Sequence, residues 1–532
     1  MLFKNKKKVT ESLLNSFGHL KDEYFNFNLI EQYFRRKDNS EALQTLSDKT
    51  CNDLDFDELF MYVDRTTSKV GQQYLYNRLR VIPIYSDRLI NQEKVIEELI
   101  TKPGLRLSIQ KQLIKLSKKG SYYISSLFQE ENLHPPKWFF VVILLSVLSL
   151  VTLLLTFYMP QFLLVLIGVF ILNMGFHYWN KKNLFQYWES IPQLLTLNKV
   201  AKELYKNNDL KQFNSELQES ISEIDKVRRK MWFIDLSARQ EGDISAIAWT
   251  LVELVKILFL LEPQLLFDAL KRLDSKRKNV ENVFGFVGII DSMVSIASLR
   301  KGLDTYCSPT ISESSKNIFA SGIFHPLIEN CIRNDIEINS KSILLTGSNM
   351  SGKTSFIRTI GINVITGLTL NTCFAKVMEI SRTRIYSAIR ISDDLINSKS
   401  YYFEEVLTIK EMIDSSNSNT TNMYLLDEIY KGTNTIERIS AGKAVLSELA
   451  KYNIVLVSTH DIELTDLLAN QYELYHFSET VDDKSVDFDY KLKRGRLKNR
   501  NAIRILQLNQ YPESIIKDAI NTTKELEKDQ HS

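Results

Sequence analysis

Apolar positions recur with helical spacing through most of the first 318 residues. Residues 1–50 are polar and only weakly patterned, whereas the stretch from Leu54 to Lys119 carries apolar side chains three and four positions apart. Residues 184–318 keep that spacing with only three prolines, and glycine is scarce in the whole chain. This pattern predicts long α-helices rather than a loop-rich β fold.

The pattern changes near Ser321. Short β-branched and apolar runs follow at Ile343–Thr346, Met423–Leu426 and Ile454–Ser458, with helix-compatible segments between them. Alternation of short buried strands with helices predicts an α/β domain with a mostly parallel sheet. A final helix is predicted over Pro512–Lys528.

One segment of the helical half contains no charged side chain. Trp138–Asn180 lacks Asp, Glu, Lys and Arg, and a Met-Pro-Gln turn at 159–161 divides it into apolar runs at 138–158 and 162–178. Both runs are long enough to cross a bilayer. Aromatic side chains lie at their ends, as they do in the interfacial belts of membrane proteins. We therefore expect a transmembrane hairpin that contacts lipid through residues 138–179.

The flanking charges set the expected orientation of this hairpin. Lys137 precedes it, and a lysine pair at 181–182 follows it. Because cytoplasmic flanks carry the excess of basic residues, we expect a multi-pass protein of the inner (cytoplasmic) membrane with both termini in the cytoplasm. A buried hairpin in a large soluble core is the alternative. The apolar stretch 244–261 contains Glu253 and Lys256, so we expect a buried helix there, with a further membrane segment as the alternative.

Composition narrows the class of protein. The chain has 532 residues, 44% hydrophobic and 25% charged, which predicts several folded domains. A net charge of +3 does not by itself indicate nucleic acid as a partner. The four cysteines are widely spaced and form no C-x-x-C pair, which predicts reduced thiols and no metal beyond any that accompanies a nucleotide.

The strongest chemical motif follows Ile343. Residues 343–358 read ILLTGSNMSGKTSFIR and contain G-x-x-x-x-G-K-S/T between a predicted strand and a predicted helix. Glycines let backbone N–H groups turn toward phosphate oxygens, and the helix N-terminus adds partial positive charge. Such a loop binds a nucleoside triphosphate, with Lys353 at the β- and γ-phosphates and the Thr354 hydroxyl on Mg²⁺. The predicted binding residues of the loop are Gly347, Ser348, Asn349, Met350, Ser351, Gly352, Lys353, Thr354 and Ser355.

Two later strands end in groups that suit the same chemistry. Asp427 and Glu428 close the run at 423–426. We expect Asp427 to hold Mg²⁺ and Glu428 to orient or deprotonate the attacking water. His460 follows the run at 454–458, which we expect beside the acid-bearing strand, so its imidazole would contact the γ-phosphate or the attacking water.

These motifs resemble those of the MutS DNA mismatch-repair ATPase family. TGSNMSGKT is similar to the family's TGPNMGGKS, with Ser348 and Ser351 in place of Pro and Gly. The stretch DEIYKGTNT from Asp427 resembles the family's DE-x-x-x-GT-S/T region, and STHDIEL from Ser458 resembles its TH-x-x-EL motif. The resemblance implies a P-loop ATPase domain of the ABC/MutS type that binds ATP and Mg²⁺ and closes as a homodimer.

Further stretches extend the resemblance. GIFHP followed by Asn334 is similar to the family's lead into its first ATPase strand, where the Asn contacts the nucleotide base. SDDLINSKSYYFEEV resembles a loop that carries over to Ser400 and Glu405, and in the family that serine contacts ATP across the dimer. YKLKRG places Tyr490 where the family often has an aromatic group near adenine. LFMYVDRTTSKVGQQYLYNRLRVIPI, which contains Gly71, is similar to the start of the family's helical lever domain.

The expected architecture departs from that family in two places. The hairpin lies between the two halves of the helical core, and no mismatch-reading domain is expected before that core, so mismatch recognition itself is doubtful. We expect an α/β P-loop NTPase domain joined to an all-α lever domain that a two-helix transmembrane hairpin interrupts. The predicted ranges are 1–47 for an N-terminal segment, 48–130 and 184–318 for the lever domain, 131–183 for the hairpin, 319–510 for the ATPase domain and 511–532 for a C-terminal helix and tail.

Three functions remain open at this point, of which a nucleotide-dependent scaffold that binds ATP but barely hydrolyses it is the least favoured, because the Asp427–Glu428 pair is intact. The first is a membrane-anchored, MutS-like ATPase that acts as a dimeric switch, with DNA as a candidate partner. Basic clusters at 111–119, 228–230, 271–278 and 491–500 are candidate DNA contacts or solvated helix faces. The second is an ABC-type membrane-remodelling or signalling ATPase that binds no nucleic acid. A standard transporter is not expected, because the chain has no LSGGQ-like signature and one hairpin cannot form a translocation path.

Overall fold

The chain forms two compact units in its structure, which is a computed structural model. The residues that it describes are 2–84, 87–131, 134–230, 246–312, 316–348, 350–390, 401–416, 420–481, 486–497 and 502–529. The first unit consists of residues 1–39, 63–78 and 91–302, and the second of residues 40–62, 79–90 and 303–532. The two units divide the segment 48–130 between them, and the domain ranges given above remain a prediction.

The first unit is helical, as the apolar spacing predicts. Its centre is the helix Arg277–Lys301, on which Val283, Phe284 and Ile290 are fully buried. This helix packs against Phe185–Leu204 and Leu217–Lys230. Short 3-10 helices cover Ile114–Leu116, Lys119–Ile124 and Lys137–Phe139. The α-helices that lie wholly or mostly in this unit are Leu2–Ser16, Phe27–Ile30, Gln32–Arg36, Lys69–Arg80, Asp87–Thr101, Pro103–Leu113, Ser126–Gln129, Phe140–Thr156, Phe162–Asn183, Phe185–Leu204, Asn208–Lys211, Leu217–Lys230, Ala246–Leu258, Leu261–Asp274 and Arg277–Lys301.

A buried aspartate fixes the start of the helix Lys69–Arg80. The Asp291 carboxylate accepts the backbone N–H of Thr67 at 2.8 Å and that of Ser68 at 2.7 Å. The Ser68 hydroxyl also donates to Asp291 and accepts the N–H of Gly71 at 2.9 Å. A Cβ at Gly71 would lie 2.2 Å from the Asp291 carboxylate oxygen. The absence of a side chain at Gly71 therefore lets the two helices approach closely.

The charge-free segment forms two packed helices. Phe140–Thr156 and Phe162–Asn183 are joined by a turn in which the Phe162 N–H donates to the Met159 carbonyl at 3.0 Å. Within the described residues, three stretches are long and apolar enough to cross a membrane, judged by length and composition alone. They are Lys137–Thr156, Phe162–Trp179 and Arg277–Lys301.

Burial separates these three stretches. Only 22% of each hairpin window is buried, against 83% for Arg277–Lys301, which is the core helix of the first unit. Leu144 and Leu164 of the hairpin, for example, are 62% and 78% exposed. The predicted membrane spans are thus the helices whose apolar surface the fold leaves uncovered. That they cross a bilayer remains a prediction.

Within the stretch 244–261 the described residues contain the helix Ala246–Leu258, and residues 244 and 245 lie outside them. Ala246–Leu258 packs against Phe162–Asn183 of the hairpin. Lys256 is buried on this helix, whereas Leu251 is 59% exposed. The expectation of a buried helix therefore holds for the side that carries Lys256 and Ile257, whereas Leu251, Leu254 and Val255 are exposed.

The second unit is built around a six-stranded sheet. Its strands are β6 (Ser342–Thr346), β8 (Arg384–Ala388), β9 (Asn422–Asp427), β10 (Ile454–Ser458), β11 (Tyr472–His476) and β14 (Lys493–Arg494). The strand order is β14-β11-β6-β10-β9-β8, and all neighbours are parallel except β14, which is antiparallel to β11. This sheet confirms the predicted α/β alternation.

Smaller sheets and helices complete this unit. The further strands are β1 (Gln44–Thr45), β2 (Val81–Ile82), β3 (Thr310–Ser312), β4 (Asn317–Ile323), β5 (Asn334–Asn339), β7 (Val377–Ser381), β12 (Glu479–Val481) and β13 (Val486–Phe488). A four-stranded sheet has the order β3-β7-β4-β5, and β1–β2 and β12–β13 form antiparallel pairs. The α-helices that lie wholly or mostly in this unit are Asp48–Asp53, Phe56–Val63, Lys353–Leu370, Tyr401–Ser415, Thr435–Leu449, Glu463–Leu467, Ala502–Leu508 and Glu513–Asp529.

A carboxylate far away in sequence closes the end of β8. Asp53 is fully buried and accepts the Ser387 hydroxyl at 2.6 Å. It also accepts the backbone N–H groups of Ile389 at 3.1 Å and Arg390 at 2.8 Å. Since buried N–H groups without a partner are costly, Asp53 stabilises the chain where it leaves the sheet.

The contact between Gly71 and Asp291 gives a first prediction. Gly71→Ala should lower the free energy of unfolding by about 1–3 kcal/mol, because its Cβ would push the helix away from the buried carboxylate. Gly104→Ala is the matched control, since a Cβ at Gly104 meets no atom within 4 Å. That control should change stability by less than about 1 kcal/mol. Chemical denaturation of both variants measures the difference, and equal stabilities would contradict the close approach.

Candidate functional site

The glycine loop lies between β6 and the helix Lys353–Leu370, as predicted. Gly347 has φ 148° and Gly352 has φ 102°, both in the region that favours glycine. A Cβ at Gly347 would lie 2.8 Å from the Phe477 carbonyl oxygen. The helix begins directly after Gly352 and ends at Leu370, and the next residue, Asn371, caps it with a left-handed φ of 55°. Its first backbone N–H groups therefore open onto the loop.

Lys353 directs its ammonium group into this loop. Its side chain is buried and Nζ donates to the carbonyls of Gly347 at 2.8 Å and Ser348 at 2.9 Å. Burial lowers the pKa of Lys353, and the nearby charges of Glu428 and Asp427 oppose that shift. A cation held among backbone dipoles in this way suits phosphate oxygens.

Asp427 is the centre of an oxygen-rich corner. The Thr354 hydroxyl donates to its Oδ2 at 2.7 Å, and the Ser458 hydroxyl donates to its Oδ1. The register of β9 on β10 places Asp427 directly beside Ser458. Hydroxyl and carboxylate oxygens are the ligands that Mg²⁺ prefers, so Thr354 and Asp427 fit the metal role predicted for them. Sequence reasoning missed Ser458, although it opens the STHDIEL motif.

Glu428 lies in a strained turn next to this corner. Its φ is 52°, and its N–H donates to the Ser458 carbonyl at 3.0 Å. The carboxylate pairs with His460 Nε2 and with Lys431 Nζ, the latter at 2.7 Å. Burial alone would raise the pKa of Glu428, but the bonds from His460 and Lys431 outweigh it and lower the pKa to about 2. Lys431 lies inside the DEIYKGTNT motif, yet its role needed the folded geometry.

A second glutamate supports the same turn. Glu405 is buried, and its carboxylate accepts the backbone N–H of Tyr430, whose φ is 61°. Burial raises the pKa of Glu405. Two residues with positive φ so close together are unfavourable for non-glycine side chains. The bonds from Ser458 and Glu405 therefore hold the turn that presents Glu428.

Asn334 and Tyr490 lie together on the other side of the loop. Asn334 Nδ2 donates to the Tyr490 carbonyl at 3.0 Å, and its Oδ1 accepts the Leu492 N–H at 2.8 Å. The Tyr490 ring lies 3.3 Å from where a Cβ of Gly352 would be. Both residues line a cleft of 530 Å³ together with Lys353 and Glu428. An aromatic ring and a polar amide at this end of the cleft suit a nucleotide base.

The other predicted residues of the loop divide into two groups. Ser348, Met350, Thr354 and Ser355 line the cleft. Ser351 is buried, and its hydroxyl donates to the Ser348 carbonyl at 2.8 Å, so it shapes the loop. The Ser348 hydroxyl donates to Glu479 at 2.7 Å. Asn349 and Ser400 lie outside the described residues.

The cleft thus offers complementary chemistry along its length. A lysine and a helix N-terminus suit phosphates, oxygen ligands suit Mg²⁺, and an ionised glutamate beside a histidine suits a water molecule. The residues present therefore fit both a nucleoside triphosphate and the metal ion that accompanies it.

Comparison with known proteins points in the same direction. The family model described as MutS domain V matches residues 343–527. DNA mismatch repair protein MutS of Aquifex pyrophilus is 29% identical over 273 residues, which cover 49% of this chain and 31% of that protein. MutS of Listeria monocytogenes serotype 4a is 29% identical over 294 residues, 52% of this chain and 33% of that protein. DNA mismatch repair protein MSH3 of Saccharomyces cerevisiae is 29% identical over 256 residues, 45% of this chain and 25% of that protein. The chain spans about a third of the length of the relatives it matches.

Proposed function

Because the chain belongs to the MutS family, whose members are ATPases, we propose that it is a membrane-anchored ATPase that works as an ATP-dependent dimeric switch. The observation that carries this proposal is that Lys353, Thr354 and Glu428 line one cleft. Behind them, Asp427 accepts a hydrogen bond from Thr354, and His460 pairs with Glu428. Mg²⁺ would supply a Lewis acid at the phosphates, held by Thr354 and Asp427.

The side chains suggest how ATP would be hydrolysed. Lys353 would neutralise charge on the β- and γ-phosphates, which the helix N-terminus also stabilises. Because its pKa is about 2, Glu428 is ionised at neutral pH and is a weak base. It therefore orients the attacking water by accepting a hydrogen bond, with His460 as the neighbouring donor. Movement of Lys431 away from the carboxylate would make Glu428 more basic.

Dimer formation completes this proposal by analogy with the family. Ser400 would contact ATP held by the partner subunit, so ATP would join two copies and hydrolysis would release them. The α-helical first unit would carry that change to the hairpin or to DNA.

Two substitutions test the catalytic assignment. Lys353→Ala should abolish ATP binding, because it removes the buried cation of the loop. Glu428→Ala should keep ATP binding but lower the rate of phosphate release by at least about 100-fold, since it removes the group that orients water. Binding of a fluorescent ATP analogue and steady-state phosphate release measure the two effects. Lys410→Ala, at an exposed lysine of the second unit, is the control. Phosphate release at the wild-type rate in Glu428→Ala would contradict the role of Glu428 in orienting the attacking water.

The membrane anchor is the second part of the proposal. Its support is the uncovered apolar surface of Phe140–Thr156 and Phe162–Asn183, which water would solvate poorly. The flanking lysines favour the cytoplasm for both ends of the hairpin and hence for the ATPase domain and both termini. The connecting turn at 159–161 would then lie on the far side of the inner membrane.

Cysteine labelling tests this orientation. Gln161→Cys, at the exposed turn, should react with a membrane-impermeant thiol reagent in cells whose cytoplasmic membrane is intact. Asn208→Cys, at an exposed helix start, should react only after the membrane is permeabilised. Mass spectrometry of the labelled protein gives the result. Equal reactivity of both variants before permeabilisation would exclude the proposed hairpin.

Family membership is the reason to propose DNA as a partner. The charges on the surface, however, support the alternative of an ATPase that binds no nucleic acid. Several basic residues of the predicted clusters already pair with acids: Arg272 with Asp268, Lys276 with Glu223, and Arg494 with Glu473. Such pairs reduce the charge that these surfaces offer to phosphates. This observation favours an ABC-type remodelling or signalling ATPase that binds no nucleic acid as the second candidate.

Salt dependence of DNA binding separates the two candidates. If DNA is a partner, the affinity for duplex DNA should fall by about a hundredfold or more between roughly 50 and 200 mM salt, because bound counterions are released. Fluorescence anisotropy of a labelled duplex with the detergent-solubilised protein measures this dependence. No binding at low salt would contradict the first candidate and support the second.

A further inference from the structure

Two helices that lie beside the hairpin form a turn of their own. Ala246–Leu258 packs against Phe162–Asn183 of the hairpin, and Leu261–Asp274 packs against both hairpin helices. They are joined at Leu260, which is fully buried and has a left-handed φ of 46°. The contacts of this turn fix the level at which it lies along the hairpin.

The tip of the turn lies about halfway along the hairpin. The Asn173 side-chain amide donates to the carbonyl of Leu258 at 2.7 Å and to the Ser149 hydroxyl at 3.0 Å. The rings of Trp138 and Trp179 pack with centroids 5.6 Å apart and mark one end of the hairpin, the tryptophan end. At 1.5 Å per helical residue, Asn173 is roughly 9 Å from Trp179, and Ser149 is roughly 16 Å from Trp138. Half the hydrocarbon thickness of a bilayer is about 15 Å, so a spanning hairpin places this tip near the bilayer centre.

The backbone at the tip is satisfied by side chains of the protein. Gln264 Nε2 donates to the carbonyls of Phe259 at 3.1 Å and Leu260 at 3.3 Å. The carbonyl before these two, that of Leu258, accepts from Asn173. Carbonyls at a helix end have no intrahelical donor and commonly bond to water. Hydrocarbon offers no water, so irregular backbone is tolerated there only where protein groups replace it. Two side-chain amides at three consecutive carbonyls meet that requirement.

Contacts on either side of the tip place the way in and the way out at the same end. On the way in, Glu253 lies 3.5 Å from His177, which is closer to the tryptophan end than the tip is. On the way out, the ring centroid of Phe267 lies 5.0 Å from that of Phe139, at the tryptophan end itself. The 13 residues of Ala246–Leu258 form about 20 Å of helix, too short to cross about 30 Å of hydrocarbon.

The side chains of these helices separate by polarity. Lys256 is buried, and its Nζ lies 3.3 Å from a carboxylate oxygen of Glu253 and 3.3 Å from one of Glu262. The surface that the fold leaves open carries three apolar side chains, those of Leu251, Leu254 and Val255. A helix at the surface of a soluble protein shows the reverse, with its charges outward. Paired charges that face protein and apolar side chains that face outward are the arrangement expected in lipid.

We propose that residues 246–274, the re-entrant segment, enter the leaflet at the tryptophan end, turn near the bilayer centre and return to the same side. Phospholipid acyl chains lie against Leu251, Leu254 and Val255. This inference rests on the proposed membrane anchor, because its levels are measured along the hairpin. In the proposed orientation the leaflet is the cytoplasmic one. Since the core helix Arg277–Lys301 begins just after the segment, the segment joins the helical core of the first unit to the lipid.

Photolabelling from lipid tests the re-entrant segment on the unmodified protein. The full-length protein is reconstituted in vesicles of phosphatidylethanolamine and phosphatidylglycerol with a trace of a phosphatidylcholine probe. The probe carries a diazirine either near the carbonyl or at the end of one acyl chain, and mass spectrometry locates the adducts. Both probes should label the hairpin, the shallow probe should label Leu251, and the terminal probe should label Val255 and Phe259. Arg277–Lys301, which is long and apolar but 83% buried, should stay unlabelled.

The outcomes separate the two proposals. An unlabelled hairpin would contradict the membrane anchor and, with it, the re-entrant segment. A labelled hairpin without adducts on residues 246–274 would refute the re-entrant segment alone. Adducts on those residues from the shallow probe only would also refute it, because a helix that lies on the membrane surface would give that result.

A pair of cysteine variants checks the segment by a second method. Leu254 is 44% exposed, and Leu467, on a helix of the second unit, is 52% exposed. In membranes opened to reagent on both sides, Leu254→Cys should react with a water-soluble maleimide at least about tenfold more slowly than Leu467→Cys, because a thiol in hydrocarbon does not ionise. Mass spectrometry distinguishes the new thiols from the native cysteines. Equal rates would refute the re-entrant segment.

Discussion

The candidate site depends on the parallel pairing of β6, β10 and β9. Parallel strands place their carboxyl ends at the same edge of a sheet, so the segments that follow them meet there. The register sets Ser458 beside both Leu345 and Asp427. A slip of β9 by one residue would turn Asp427 to the opposite face of the sheet. The glycine loop, the two acids and His460 are neighbours because this pairing holds.

Charge balance then determines how the groups at that edge behave. The Lys353 cation lies among carbonyls, near two carboxylates that partly offset the effect of burial on its pKa. Glu428 stays ionised because His460 and Lys431 both donate to it. The turn that carries Glu428 adopts positive φ, and the Ser458 carbonyl and the Glu405 carboxylate hold it in place. Local strain and fixed charge together prepare the site for a polar reaction.

Much of this arrangement could be predicted from sequence, because the spacing within the loop motif and the strand that precedes it are local. Lys353, Thr354, Asp427 and His460 lie where the motifs placed them. Contacts that depend on distant segments could not be found in this way. Asp53 reaches the end of β8 across more than 300 residues of sequence. The pairing of His177 with two acids likewise depends on helix packing rather than on any motif.

We propose that the 530 Å³ cleft at the glycine loop is an ATP site. Photolabelling with 8-azido-ATP and Mg²⁺, followed by mass spectrometry of the peptides, tests this assignment. We expect saturable labelling that unlabelled ATP prevents, with the label on peptides that contain Asn334 or Tyr490. Labelling that ATP does not prevent, or label confined to peptides away from the cleft, would contradict it.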